Sequence, residues 1–318
     1  MFAQNNGAGA RPAPTITMRN SLRIGAVPYL NTKPLVAGIE GGRGVELRLA
    51  VPSQLPDLLE QGELDVALIP SIEYLRGRPF FVVPDTSIAS RGAVESVLLF
   101  LRVPRVRDIK RVALDESSLT SSTLVRIILQ ERYGLRLSSV EYVPWPRNQD
   151  LNDTQADAVL VIGDNAMKMA TSRGTLQRAP TTAVCPPLDL GAEWKALTGL
   201  PFVYALWVTS KKGLVDSTRR LLNEAKRKGL AALPEIARRE AKRLGLEPGF
   251  CLRYLSENIC YALGEEEIAG LRQFYRYALS MGLASEGVNL DFGSKTHIRE
   301  GTLQGTDSTR GGPGPHLL

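Results

Sequence analysis

Short apolar blocks alternate with polar, helix-starting turns through the first third of the chain. Arg23–Val27 is an apolar run of strand length. Thr32 then stands at a helix-cap position, with Pro34 in the first turn of a helix expected to end near Gly38. Val45–Val51 has the pattern of a second strand. Ser53 is placed to cap the next helix, where Pro56 falls in the first turn and Leu55, Leu58 and Leu59 form an apolar stripe up to Gly62. Asp65–Pro70 reads as a third, buried strand. This βαβαβ order implies a parallel sheet with helices packed on its faces.

The rhythm then repeats. Val94–Val103, rich in Val and Leu, is a longer strand candidate. Arg111–Leu114 is a strand, Thr120–Tyr133 a helix stopped by Gly134, and Val140–Pro144 and Asp157–Ile162 two further strands. Val203–Thr209 returns as a strand, followed by helices over 214–231, 234–245 and 264–281, with Pro234 separating the first two. One βα block inserted in another predicts two α/β lobes joined by crossing strands near 94–105 and 203–209. Ligands of such sheets bind beyond the carboxyl ends of the strands, which here puts a cleft between the lobes. The expected division is lobe 1 over 21–105 and 202–300 and lobe 2 over 106–201, with a disordered leader over 1–20 and a Gly/Pro-rich tail over 301–318.

Composition narrows the chemistry. The only histidines are His297 and His316, both near the C-terminus, and the cysteines Cys185, Cys251 and Cys260 form no CxxC pair. Zinc sites rich in His or Cys, and catalytic triads built on a central histidine, are thereby excluded. The net charge of +6 raises the question of nucleic acid. Much of the excess, however, punctuates the amphipathic helices of 211–245, which is the pattern of a solvated helix face, and no aromatic-interleaved nucleic-acid motif accompanies it. No apolar run approaches the roughly 18 residues of a membrane span. The opening residues, in which Met18 is a candidate start, lack the continuous apolar stretch of a signal peptide. A cytoplasmic location is expected, with neither nucleic acid nor membrane as partner.

Four polar segments fall near the predicted strands, where they can face one cleft. In Val27–Pro34, Asn31 sits at the strand-to-helix turn as a donor and acceptor, or else it or Thr32 is only a helix cap. In Pro70–Glu73, Ser71 is a ligand contact or a cap. Asp85–Ser96 leads into a crossing strand, where Ser96 needs a hydrogen-bond partner, be it backbone or ligand. Asp115–Thr123 brings Ser118, Thr120 and Ser121 to a helix N-terminus, a combination that caps the helix and suits an anion. Ile162–Asn165, with Gly163, offers a similar turn across the cleft. No GxGxxG, Walker, GxSxG or HExxH motif is present. Glu265, Glu266 and Glu267 open a helix as surface charges that complement its dipole, and Trp145 and Trp194 read as packing residues.

The ordered set Tyr29-Leu-Asn-Thr-Lys-Pro34, Asp65-Val-Ala-Leu-Ile-Pro70, Ser87-Ile-Ala-Ser-Arg-Gly92 with Ser96, Ser117–Ser121, and the Leu188–Trp207 segment LDLGAEWKALTGLPFVYALW resembles the chorismate dehydratase family of the futalosine route to menaquinone. The resemblance spans roughly residues 22–285. It implies an α/β, two-lobed, type II periplasmic-binding-protein-like fold with a ligand cleft between lobes. It also implies removal of water from chorismate to give 3-[(1-carboxyvinyl)oxy]benzoate, with neither metal nor organic cofactor. Its active-site asparagine and serine map to Asn31 and Ser96. Its hydroxyl cluster maps to Ser118, Thr120 and Ser121, which would hold a substrate carboxylate, while Leu119 stands where some members carry Arg. Ser71 and Gly163 complete the expected substrate contacts. The alternatives are 1,4-dihydroxy-6-naphthoate synthase of the same pathway, whose expected histidine fits poorly here, and a non-catalytic small-anion-binding protein.

Overall fold

The computed structural model describes residues 21–42, 44–146, 151, 154–172 and 186–292. The leader, the tail, Cys185 and both histidines lie outside the described residues. Lobe 1 is built on a six-stranded sheet. It contains β1 (Leu22–Ala26), β2 (Val45–Leu49), β3 (Val66–Pro70) and β4 (Phe81–Ser90), joined later by β10 (Phe202–Thr209) and β11 (Cys260–Leu263), in the order β11-β4-β10-β3-β1-β2. Lobe 2 is built on β5 (Val97–Leu101), β6 (Arg111–Asp115), β7 (Glu141–Trp145), β8 (Ala158–Ile162) and β9 (Leu188–Asp189), in the order β7-β6-β8-β5-β9. In lobe 1, β2 and β3 run parallel to β1, while β10 is antiparallel to both β3 and β4. In lobe 2, β6 is parallel to both of its neighbours, β7 and β8.

The first crossing differs from the sequence expectation. Val97–Leu101 pairs with β8 and β9, so the strand placed in lobe 1 up to residue 105 belongs to the second sheet, and the chain changes lobes over 91–96. The longest strand, β4, escaped the pattern reading because Pro84 and Asp85 interrupt its alternation. Asp85 sits at φ 72° and the register with β10 shifts there, a bulge in which the strand carries residues that ordinarily end one.

The return crossing is held by the segment around Trp194. Asp189 caps helix α6 (Leu190–Thr198) by accepting the N–H groups of Gly191 (2.9 Å) and Ala192 (3.0 Å). The same carboxylate accepts the N–H groups of Val94 (3.0 Å) and Glu95 (2.7 Å), so one side chain ties both crossings together. Gly199, at φ 72°, ends α6 in the left-handed conformation that glycine adopts without strain. Trp194 then donates to the Pro201 carbonyl at 3.0 Å and packs edge-to-face on Phe202, ring centroids 5.2 Å apart. Phe202 meets Phe274 of helix α10 (Glu265–Ser280) at 4.9 Å, and all three rings are buried, a cluster in which truncating one ring costs about 3–5 kcal/mol. Trp145 is likewise a buried packing residue. Glu267 is not a surface charge. It is 1% exposed and accepts from Arg91 and from the Gly264 N–H, closing the N-terminus of α10.

Candidate active site

An open cavity lies between the lobes, at the carboxyl ends of β1, β3, β6 and β8. Lobe 1 contributes Tyr29 and Asn31 after β1, with Ile88 of β4 and Tyr204 of β10. Lobe 2 contributes Ser117–Ser121 after β6, with Ile162 and Gly163 after β8, and Ser96 stands on the crossing between them. Asn31, Ser96, Ser118, Thr120, Ser121 and Gly163 therefore share one chamber. Among the described residues, no lysine or arginine lines it.

Asn31 occupies a single 3-10 turn, Leu30–Thr32, ahead of the short helix α1 (Lys33–Val36). Thr32 does not cap that helix through its side chain. Its hydroxyl instead donates to Asn31 Oδ1 at 3.3 Å, which turns the amide nitrogen to the opposite side. The turn is pinned from lobe 2, because the Leu30 N–H donates to Asp164 Oδ1 at 2.9 Å while Asp164 Oδ2 accepts from Arg243 of lobe 1 at 3.1 Å. Gly163, at φ 65°, lies under the Tyr29 ring, where a Cβ would approach the ring carbons to 2.9 Å. Its N–H is taken by the Ser96 carbonyl at 2.7 Å. Gly163 thus shapes the wall and has no backbone proton to offer a ligand.

Ser96 is 1% exposed, and its Oγ accepts from the Tyr254 phenol at 2.8 Å. Glu95, immediately before it, is held at φ 56°, an unfavourable conformation for a glutamate, and the Asp189 carboxylate fixes that turn. Burial raises the Glu95 carboxyl above its ordinary pKa, and the Asp189 and Glu257 carboxylates add to the rise.

On the opposite wall, helix α4 (Leu119–Ile127) starts after Ser118. Asp115 accepts from the Ser117 N–H at 3.0 Å and from the Ser117 hydroxyl, which anchors the loop, and burial raises the Asp115 carboxyl above its usual range. Thr120 Oγ1 accepts the Ile72 N–H from lobe 1 at 3.3 Å. The Ser118 and Ser121 hydroxyls line the cavity without a hydrogen-bond partner among the described residues, above the positive end of a nine-residue helix. Leu119 makes this wall apolar where an arginine would make it cationic.

Ser71 is the one expected contact that does not reach the chamber. It opens the short helix α3 (Ser71–Leu75), is fully buried, and donates to the Val203 carbonyl at 2.8 Å, so its hydroxyl is spent inside lobe 1. Among the described residues, no three His, Cys, Asp or Glu side chains come together as a metal site. Sequence reasoning missed Tyr254, Tyr204, Asp164 and Asp189. Asp164 and Asp189 lie inside segments that were singled out, but their roles come from partners in the other lobe or on the other crossing.

Two α/β lobes around such a chamber form the fold of the periplasmic binding proteins. The chain superposes on the periplasmic aliphatic sulphonate binding protein of Escherichia coli with a TM-score of 0.60 at 16% identity, covering 94% of this chain and 98% of that one. Residues 22–280 match the family described as menaquinone biosynthesis. The chain is 34% identical over 272 residues to the chorismate dehydratase of Thermus thermophilus, covering 79% of this chain and 93% of the relative. It is 26% identical over 257 residues to the chorismate dehydratase of Campylobacter jejuni, covering 80% and 93%. The chain belongs to this menaquinone biosynthesis family.

Proposed function

We propose that the protein is a chorismate dehydratase, a hydro-lyase that converts chorismate to 3-[(1-carboxyvinyl)oxy]benzoate and water. The observation that carries the reading is the convergence, in one chamber, of Asn31, Ser96 and the open hydroxyls of the α4 N-terminus. Identity with dehydratases from two organisms supports it.

The chemistry suits a site with no histidine among its described lining residues. The C3 proton of chorismate is acidified through the ring diene by the ring carboxylate, and expulsion of the C4 hydroxyl leaves an aromatic ring. The substrate's own enolpyruvyl carboxylate takes the C3 proton. The C–H electron pair enters the ring π system, the C4–O bond breaks, and the departing hydroxide leaves with that proton as water. What the protein supplies is conformation and charge placement, and orientation of this kind can contribute up to about 7–11 kcal/mol. Asn31, whose amide nitrogen is directed away from Thr32, orients the leaving hydroxyl. Ser96 donates to a substrate oxygen. Ser118 and Ser121, with Thr120 beside them, receive a carboxylate using hydroxyls and the helix N-terminus. Gly163 and Tyr29 shape the opposite wall.

The proposal places this reaction in the cytoplasm, with chorismate as the small-molecule partner. No helix of the described residues is long and apolar enough to cross a membrane. Incubation of the chelator-treated protein with chorismate, followed by chromatography and mass spectrometry, is expected to yield an aromatic product lighter by one water that retains the enolpyruvyl ether. Chorismate that binds but returns unchanged would make the protein a carrier or sensor and overturn the proposal.

A further inference from the structure

Tyr254 begins the π-helical turn Tyr254–Asn258, which continues helix α9 (Pro248–Arg253) in the C-terminal part of lobe 1. Its side chain is fully buried and lies behind the cavity wall. The phenol donates to Ser96 Oγ at 2.8 Å. Burial above all, with the Asp164 and Glu95 carboxylates after it, holds the phenol far above its ordinary pKa. It therefore keeps its proton through the working pH range, and that proton is directed at Ser96 Oγ.

A serine hydroxyl has one proton and two lone pairs. With one lone pair engaged by Tyr254, the Ser96 proton must point elsewhere, and no other group among the described residues accepts it. The remaining direction is the cavity that Ser96 lines. We infer that Tyr254 is a positioning residue that makes Ser96 a hydrogen-bond donor toward the substrate. The inference rests on the dehydratase reading for what Ser96 donates to. The hydrogen bond itself does not depend on that reading.

Tyr254→Phe keeps the ring and removes only the O–H. Its kcat is expected to fall about tenfold, the size of one hydrogen bond, with KM changed by less than about threefold. In a Ser96→Ala background the same substitution is expected to change kcat by less than about twofold, because the group through which Tyr254 acts is gone. An equal factor in both backgrounds would mean that Tyr254 only supports the fold, and would overturn the inference. A second readout needs no turnover: the 13Cζ resonance of Tyr254 in tyrosine-labelled protein. It is expected to stay constant from about pH 6 to about pH 10 and to move on Ser96→Ala substitution. A resonance indifferent to Ser96→Ala overturns the inference whatever the kinetics show. A wild-type protein inert toward chorismate overturns the functional reading instead, while a Ser96-sensitive resonance would still support the positioning bond.

Discussion

Two serine-bearing turns, one after β3 and one after β6, end parallel strands on the same side of the molecule, yet only the second faces the chamber. After β3, Ser71 gives its proton to the Val203 carbonyl. After β6, Ser118 and Ser121 keep theirs. The difference lies in the neighbouring strands. β3 has antiparallel β10 at its side, with Pro70 paired to Ala205, so β10 runs on past the end of β3 and offers its carbonyls to whatever follows. β6 lies between two parallel strands that stop at about the same level, with Asp115 beside Trp145 and Leu114 beside Leu160. Among the described residues no strand continues into the space beyond, and the hydroxyls there face the helix terminus and the cavity. A serine after a strand can bind a ligand only where the sheet leaves its hydroxyl unspent.

This contrast is open to direct attack. The largest effect is expected at the open turn. Replacing Ser118 and Ser121 together with Ala should raise the KM for chorismate at least about tenfold, roughly the loss of two modest hydrogen bonds, with kcat changed much less. A change confined to kcat would mean that these hydroxyls act on the transition state and do not simply hold a carboxylate. At the closed turn, Ser71→Ala should lower stability by about 1–2 kcal/mol, because it strands a buried carbonyl, while kcat/KM stays within about twofold. Thermal unfolding and steady-state kinetics on one preparation separate the two effects. A large activity loss without destabilisation would break the comparison.

The smallest functional effect is expected at the other end of β3. There, Asp65 accepts from Arg23 at 3.0 Å and from Lys211 at 2.9 Å. The Arg23 guanidinium first, with Lys211, holds this carboxyl well below its usual range. A folded-state pKa below the unfolded value of about 3.9 means that this stabilisation is complete above about that pH and is lost as pH falls toward the folded value. Asp65→Asn should therefore be less stable than the parent at neutral pH, with the gap closing on acidification and turnover untouched. Denaturant melts at several pH values measure this. A gap that widened in acid would reverse the sign of the argument.

Local pattern carried a good part of the fold. The strands near 23, 45, 65, 111, 140, 157 and 203 and the three long C-terminal helices are read from apolar runs and from proline and glycine stops, and each recurs in the structure within a few residues. What stayed hidden depends on distant partners. β4 is interrupted by Asp85, and its place is set by pairing with β10 and β11. Ser71 looked equivalent to Ser118 because the carbonyl that consumes its proton lies 132 positions away. Tyr254 meets Ser96 across 158 positions, and no local signal marks a tyrosine in a helical turn as part of a site. Asn31 and Ser96 were legible as candidates from their places near strand ends, but spacing alone could not separate a cap or a backbone contact from a catalytic role. In the structure the Thr32 hydroxyl donates to Asn31 Oδ1 and leaves its helix uncapped, and Ser96 accepts from the Tyr254 phenol.

A chamber that works by orienting a bound substrate should, on Asn31→Ala substitution, lose rate while keeping affinity. Equilibrium binding of chorismate and the single-turnover rate would be measured on the same variant. The rate is expected to fall by at least about 100-fold, with affinity within about threefold of the parent, as for a group that matters in the transition state. Parallel losses in rate and affinity, or a rate left intact, would contradict an orienting role.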